Sequence, residues 1–131
     1  MATPAEILDD YLKTIATFPS ADVLGNFFAP DVVHEELPNR LFPEGRRNDL
    51  AALLAASQRG PEILASQSYH LRRAIVSGDE VAAELEWTGT LRRGFGNVPA
   101  GASLRAAVAQ FLSFRDGKIR SLRNYDCYYP F

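Results

Sequence analysis

Apolar residues recur every third or fourth position in the first half of the chain and every second position in the last half. From Pro4 onward Ile7, Leu8, Tyr11, Leu12 and Ile15 share one helical face. Thr3 is placed to cap this helix, Pro4 fits its first turn, and Glu6 completes a capping box with Thr3. Pro19 is expected to end it. Ser20 can open a second, short helix with Val23, Leu24, Phe27 and Phe28 inward and Pro30 at its exit. Residues 32 to 37 are rich in β-formers at the start and then charged. One face of such a strand carries Val32, His34 and Glu36, the other Val33, Glu35 and Leu37, so a carboxylate turns inward on either choice. Residues 38 to 47 hold two prolines and a glycine and read as loop. Asn48 is placed to cap a third helix with Leu50, Leu53 and Leu54 inward, stopped at Gly60-Pro61, and Glu62 to Gln67 can add another turn.

After residue 67 the period falls to two. Tyr69 to Ser77 reads as a strand and Gly78-Asp79 as a hairpin turn. Val81, Ala83, Leu85, Trp87, Gly89 and Leu91 then alternate with polar residues. A glycine-rich excursion from Gly94 to Gly101 leads to a strand over Leu104 to Arg115, and Asp116-Gly117 turns into a last strand, Lys118 to Tyr129. The pattern of that strand changes parity between Ile119 and Leu122, which predicts a bulge near Arg120 or Ser121. Helices first and hairpins after predict one α+β domain over residues 1 to 131, with helices packed on one face of a curved, mostly antiparallel sheet.

Composition narrows the function classes. With 131 residues, 47% of them hydrophobic and 23% charged, the chain can bury a core and an internal cavity without a disulfide or structural metal. A net charge of -2 argues against nucleic acid as a partner. The arginine pairs Arg46-Arg47, Arg72-Arg73 and Arg92-Arg93 lie far apart, and adjacent residues on a strand point to opposite faces. No run approaches the roughly 20 apolar residues of a membrane span, and the first residues lack a signal-peptide pattern. The lone Cys127 fits a reducing compartment. The expectation is a cytoplasmic protein.

The order of elements, with Tyr11 on the first helix, Phe27-Phe28-Ala29-Pro30-Asp31-Val32-Val33-His34-Glu35-Glu36 entering the first strand, Gly45 before the third helix and Asp116-Gly117-Lys118-Ile119 opening the last hairpin, resembles the nuclear transport factor 2-like superfamily. The likeness is to its branch of SnoaL-like polyketide cyclases and ketosteroid isomerases, covers nearly the whole chain, and implies a cone-shaped fold. It says little about function, because that fold also serves dehydratases, epoxide hydrolases, binding subunits and transport proteins.

Glu36 is the leading candidate for a general base, at the point where the isomerase branch carries a carboxylate; burial in a dry pocket would make it a better base than one in water. On the other register it faces solvent and has no such role. The resemblance gives Tyr11 the part of a donor to an enolate oxygen, although its register to Glu36 differs by one residue from the isomerase pattern. Otherwise it is core with its hydroxyl at the rim. Asp126, sharing a face with Asn124, Leu122 and Tyr128, matches the deep carboxylate of the cyclases, or else is a solvated aspartate near the chain end. His34 shares a face with Glu36 and can orient it. Gln110 turns toward the core beside Val108, Leu112 and Phe114, as a ligand donor or a structural amide. Asn124, Trp87, Phe114 and Tyr128 complete the candidate ligand contacts. No metal and no cofactor is expected: His34 and His70 have no ligand-like spacing, and no phosphate loop or dinucleotide fingerprint is present.

The reading is a cofactor-independent enzyme that moves a proton next to a carbonyl in a small, partly apolar substrate. Its rival is a non-catalytic binding or interaction module on the same fold. The two differ in whether Glu36 and Asp126 meet inside a cavity. A homodimer through the sheet is expected, because its later strands carry apolar residues on both faces.

Overall fold

The computed structural model describes residues 1–131. Helix α1, Pro4–Ile15, opens with the predicted capping box: the Glu6 amide donates to Thr3 Oγ1 at 3.2 Å and the Thr3 amide to Glu6 Oε1 at 3.1 Å. Leu8, Tyr11 and Leu12 are buried beneath it. The helix stops at Ile15, before Pro19, and Phe18 with φ 54° turns the chain away. Helix α2, Ala21–Gly25, is capped by Ser20 as expected. It is too short to bury the predicted face: Leu24 goes inward, while Val23 is 48% exposed.

Phe28 and Pro30 belong to strand β1, Phe28–Glu36, and not to the end of α2. The proline is tolerated there because the pairing of β1 breaks register between Phe28 and Val33, where no amide is needed for the ladder. A three-residue strand, β2 (Arg46–Asn48), lies inside the segment read as loop and pairs antiparallel with β1, His34 opposite Asn48 and Glu36 opposite Arg46. Asn48 is therefore in a strand, and the cap of helix α3 (Leu50–Gln58) is Asp49, whose Oδ1 accepts from the Ala52 amide at 2.9 Å. Gly45 makes the tight entry to β2 possible. Its φ is 69°, and a Cβ there would sit 2.7 Å from the Glu36 carbonyl oxygen.

A single turn, α4 (Gly60–Ile63), precedes β3, Leu64–Ser77, so residues 64 to 67 extend the strand rather than the helix. β4 (Glu80–Leu91), β5 (Ser103–Arg115) and β6 (Lys118–Tyr128) follow. The sheet order is β2-β1-β6-β5-β4-β3, antiparallel except where β1 runs parallel to β6. The predicted bulge falls on Arg120: Ser113 faces Ser121 while Phe114 faces Ile119. Leu8, Leu12 and Leu24 from the helices meet Leu85, Leu112, Ile119 and Leu122 from the sheet in one cluster. No helix is long and apolar enough to cross a membrane.

Leu85 is wholly buried at the centre of β4. Leu85→Ala is expected to cost about 2–5 kcal/mol in urea denaturation. Val23→Ala should stay within about 0.5 kcal/mol, since that side chain already faces water.

Candidate functional site

The period of two on each strand decides which side chains reach the concave face. β2 and β1 contribute Arg46 and Glu36, β6 contributes Asn124, and β5 contributes Gln110. The pairings Glu36 with Arg46, Glu36 with Asn124, and Gln110 with Asn124 set these four in one row across four strands. Asp126 lies one pleat further along β6, opposite Val108, and Tyr128 opposite Ala106.

Two cavities adjoin along this row. The larger, about 210 Å³, lies under α1 and α3 and is lined by Tyr11, Ile15, Leu53, Ala56 and His34 among others. The smaller, about 170 Å³, is lined by Trp87, Val108, Asp126, Tyr128 and Phe42 among others. Glu36, Arg46, Gln67, Tyr69, Gln110 and Asn124 belong to both and form a polar waist between two lobes.

Glu36 is buried with both carboxylate oxygens engaged. Arg46 donates to Oε1 from Nε at 3.3 Å and Nη2 at 3.2 Å, and Asn39 donates to Oε2 from Nδ2 at 2.9 Å. Asn39 Oδ1 also accepts the amides of Leu41 and Phe42 at 2.9 and 3.0 Å, so the β1–β2 loop folds onto the carboxylate. The Arg46 guanidinium lies over the Phe42 ring, 4.0 Å from its centroid.

Asp126 is different. Its Oδ1 is buried without a partner, and burial first, then the charge of Glu36, pushes its carboxyl up to about 6 against the pull of Arg46. Around it the hydroxyls of Tyr69 and Tyr128 are held protonated, chiefly by burial and further by Asp126 and Glu36. Burial alone does the same to Tyr11. Tyr69 makes only a long contact, 3.4 Å, to Gln67 Oε1. Gln110 Oε1 and Asn124 Oδ1 also lack partners.

Two further contacts fix the walls. The Trp87 indole donates to Gln67 Oε1 at 3.0 Å, and Gln67 donates to the Ile15 carbonyl at 3.1 Å, tying sheet to helix. The indole lies so close over Gly89 that a Cβ there would fall 2.4 Å from Trp87 Cζ2. His34 Nδ1 meets Asn48 Nδ2 at 3.1 Å, and burial and Arg46 hold its pKa down against Glu36.

The structure thus brings Glu36, Asp126, Gln110, Asn124, Trp87 and Tyr128 together around the smaller lobe, while Tyr11 and His34 face the larger one. Phe114 reaches neither. It shares the inner face of β5 but lies four residues beyond Gln110, roughly 13 Å along the strand, and is packed in the core opposite Ile119. Glu36 is ion-paired with Arg46, a partner the sequence reading did not give it. Arg46, Asn39, Gln67 and Tyr69 were not singled out from the sequence. The one available signal was the Arg46-Arg47 pair, which on a strand must send one arginine inward. No group of three or more His, Cys, Asp or Glu side chains converges as a metal would require.

A carboxyl raised in the folded state binds its proton more tightly there than in the unfolded chain. The stability it contributes is complete below the ordinary value and lost as pH rises to about 6. His34, lowered, acts in the opposite sense, so the two are separated by a variant. Asp126→Asn is expected to gain in thermal midpoint over wild type as pH rises from 4 to 7, with His34 cancelling in the difference. A difference flat across that range would mean that Asp126 titrates normally.

The family model described as a SnoaL-like domain matches residues 9–122. No curated protein matches the sequence. Among solved structures, IdmH of Streptomyces antibioticus, assigned as a polyketide cyclase, superposes with a TM-score of 0.79 at 20% identity, covering 95% of this chain and 92% of that one. A SnoaL-like polyketide cyclase of Agrobacterium tumefaciens gives 0.72 at 20% identity, with 96% and 92% covered. A hypothetical protein of Catenulispora acidiphila with a ketosteroid isomerase-like fold, solved with trimethylamine, gives 0.75 at 18% identity, with 94% and 86% covered. The similarity of fold agrees with a family match over most of the sequence, and the chain belongs to the SnoaL-like domain family.

Proposed function

We propose that the protein is a cofactor-independent acid/base enzyme of the cyclase or isomerase kind, acting on a small carbonyl compound. The observation that carries this reading is the carboxyl of Asp126, raised to about 6 by burial and by Glu36 inside the smaller lobe. Such a group is ionised at neutral pH and yet basic enough to take a proton from carbon beside a carbonyl. In the step proposed, the C–H proton passes to Asp126 and the electron pair becomes the enolate. The hydroxyls of Tyr69 and Tyr128 and the amide of Gln110 supply donors for its oxygen. The enolate then takes the proton back at another carbon, or its carbon attacks a second carbonyl of the same molecule, whose oxygen takes the electron pair and then the proton from Asp126. Glu36, fixed by Arg46 and Asn39, serves as the standing charge that keeps Asp126 basic. Tyr11 and His34 line the substrate's other lobe.

The rival reading, a binding module whose polar residues satisfy one another, is favoured by one feature, the fully engaged carboxylate of Glu36. Deuterium exchange into small ketones, followed by NMR, separates the two. Asp126→Asn is expected to lose at least about 10²-fold in exchange rate. Glu36→Gln should retain exchange with its pH profile moved to lower pH, because the neighbouring charge is gone, and Glu35→Gln on the opposite face should change little. Equal rates for wild type and Asp126→Asn would leave the binding module.

We further propose a second copy of the chain as the partner on the convex face. There Ile75, Phe111 and Tyr125 are exposed beside a groove of about 550 Å³ that also holds Glu35, Glu80, Arg47 and Arg123. Two acids and two arginines on one patch suit a two-fold contact, in which each pairs with its opposite across the axis. Light scattering should return a dimer at micromolar concentration. Phe111→Arg should yield a folded monomer; a wild-type monomer would refute the proposal.

A further inference from the structure

The two lobes are chemically unlike. The smaller one holds Asp126, two aromatic walls and the donors around them. The larger one, beyond the waist, is walled by Tyr11, Ile15 and Leu53 and, from the last turn of α3, by the small side chains of Ala56 and Ser57. Of its polar groups apart from the waist, His34 meets Asn48 and the Ser57 hydroxyl donates to the Leu54 carbonyl at 2.7 Å, while the Tyr11 hydroxyl makes no hydrogen bond. Each lobe exceeds the ~150 Å³ that accommodates a benzene ring in an engineered apolar cavity. A carbonyl head engaged by Asp126 would leave the larger lobe unfilled unless the same molecule extended into it. Tyr69, with its long contact to Gln67, is the loosely tethered side chain on that path.

We infer that the larger lobe is the subsite for an apolar arm of the substrate, and that Ala56 sets the length of arm admitted. The ligand is then a two-part molecule, a compact carbonyl head beside Asp126 joined to an alkyl or aryl arm lying between α1 and α3. This rests on the reading of Asp126 as the base for the placement of the head, while the arm's subsite can be tested without any proton transfer.

Two methyl ketones with the same head, 2-butanone and 4-phenyl-2-butanone, serve as probes. Binding is read from the fluorescence of Trp87, the only tryptophan, in the wall of the smaller lobe. The wild type is expected to bind the phenyl compound roughly 10- to 100-fold more tightly, the effect of burying one aromatic side chain's worth of surface. Ala56→Phe should bring that ratio toward one by weakening the phenyl compound alone. Ala56→Leu gives an intermediate ratio, and keeps the test available if the larger substitution unfolds the chain. Equal affinity for both ketones in the wild type, or an unchanged ratio in a folded Ala56 variant, overturns the inference. A preserved ratio with no deuterium exchange in any variant overturns only the role of Asp126 and leaves the subsite standing.

Discussion

A carboxylate placed on the inner face of a sheet must find a positive partner or give up its charge, because an isolated ion in the interior is strongly disfavoured. Glu36 finds Arg46, and much of the surrounding architecture follows from how that partner is delivered. The arginine comes from β2, a strand of three residues with no apolar alternation to recommend it, held against β1 at an edge of the sheet. Reaching that edge takes the chain through a loop whose Asn39 closes on the other carboxylate oxygen, and through a glycine with nowhere to put a side chain. The loop, the edge strand and the waist between the lobes are thus one construction around one charge. Asp126, a short distance away, bears the result in its raised affinity for a proton.

Most of the fold could be read from periodicity. The capping box of α1, the alternation of β4 and the parity change at Arg120 are local patterns, and each is a direct consequence of the geometry of the element it marks. The failures share a cause as well. Pro30 and Asn48 sit at boundaries where a residue type suits two neighbouring elements, and a tertiary pairing decides between them: the break in the β1–β6 ladder for Pro30, the partner His34 for Asn48.

The site was legible in its faces and illegible in its pairings. Strand parity gave each of Glu36, Gln110, Asn124 and Asp126 a choice of two faces, and in the structure all four line the smaller lobe. It could not say that Glu36 would be held by residues three and ten positions away, nor that the cavity would end before Phe114. Sharing a face is a statement about direction, whereas lining a cavity also depends on depth along the strand and on what the helices cover. Tyr69 escaped notice for the same reason: its contribution depends on its place relative to Asp126 across two intervening strands, which no local pattern encodes.

The bulge at Arg120 gives the last strand two halves of opposite parity. Ile119 points inward before it, and Leu122, Asn124, Asp126 and Tyr128 point inward after it. With a continuous pleat anchored at Ile119, the inward residues would instead be Arg123, Tyr125 and Cys127, and the acid with its amide and phenol neighbours would lie on the convex side. A single backbone insertion therefore determines which of two interleaved alphabets, one for chemistry and one for contact between molecules, is read on which surface. In a lineage that shares this fold, straightening the strand at constant length would exchange the roles of the two surfaces, whereas deleting the extra residue together with its bulge would leave Leu122, Asn124 and Asp126 facing inward as they do here.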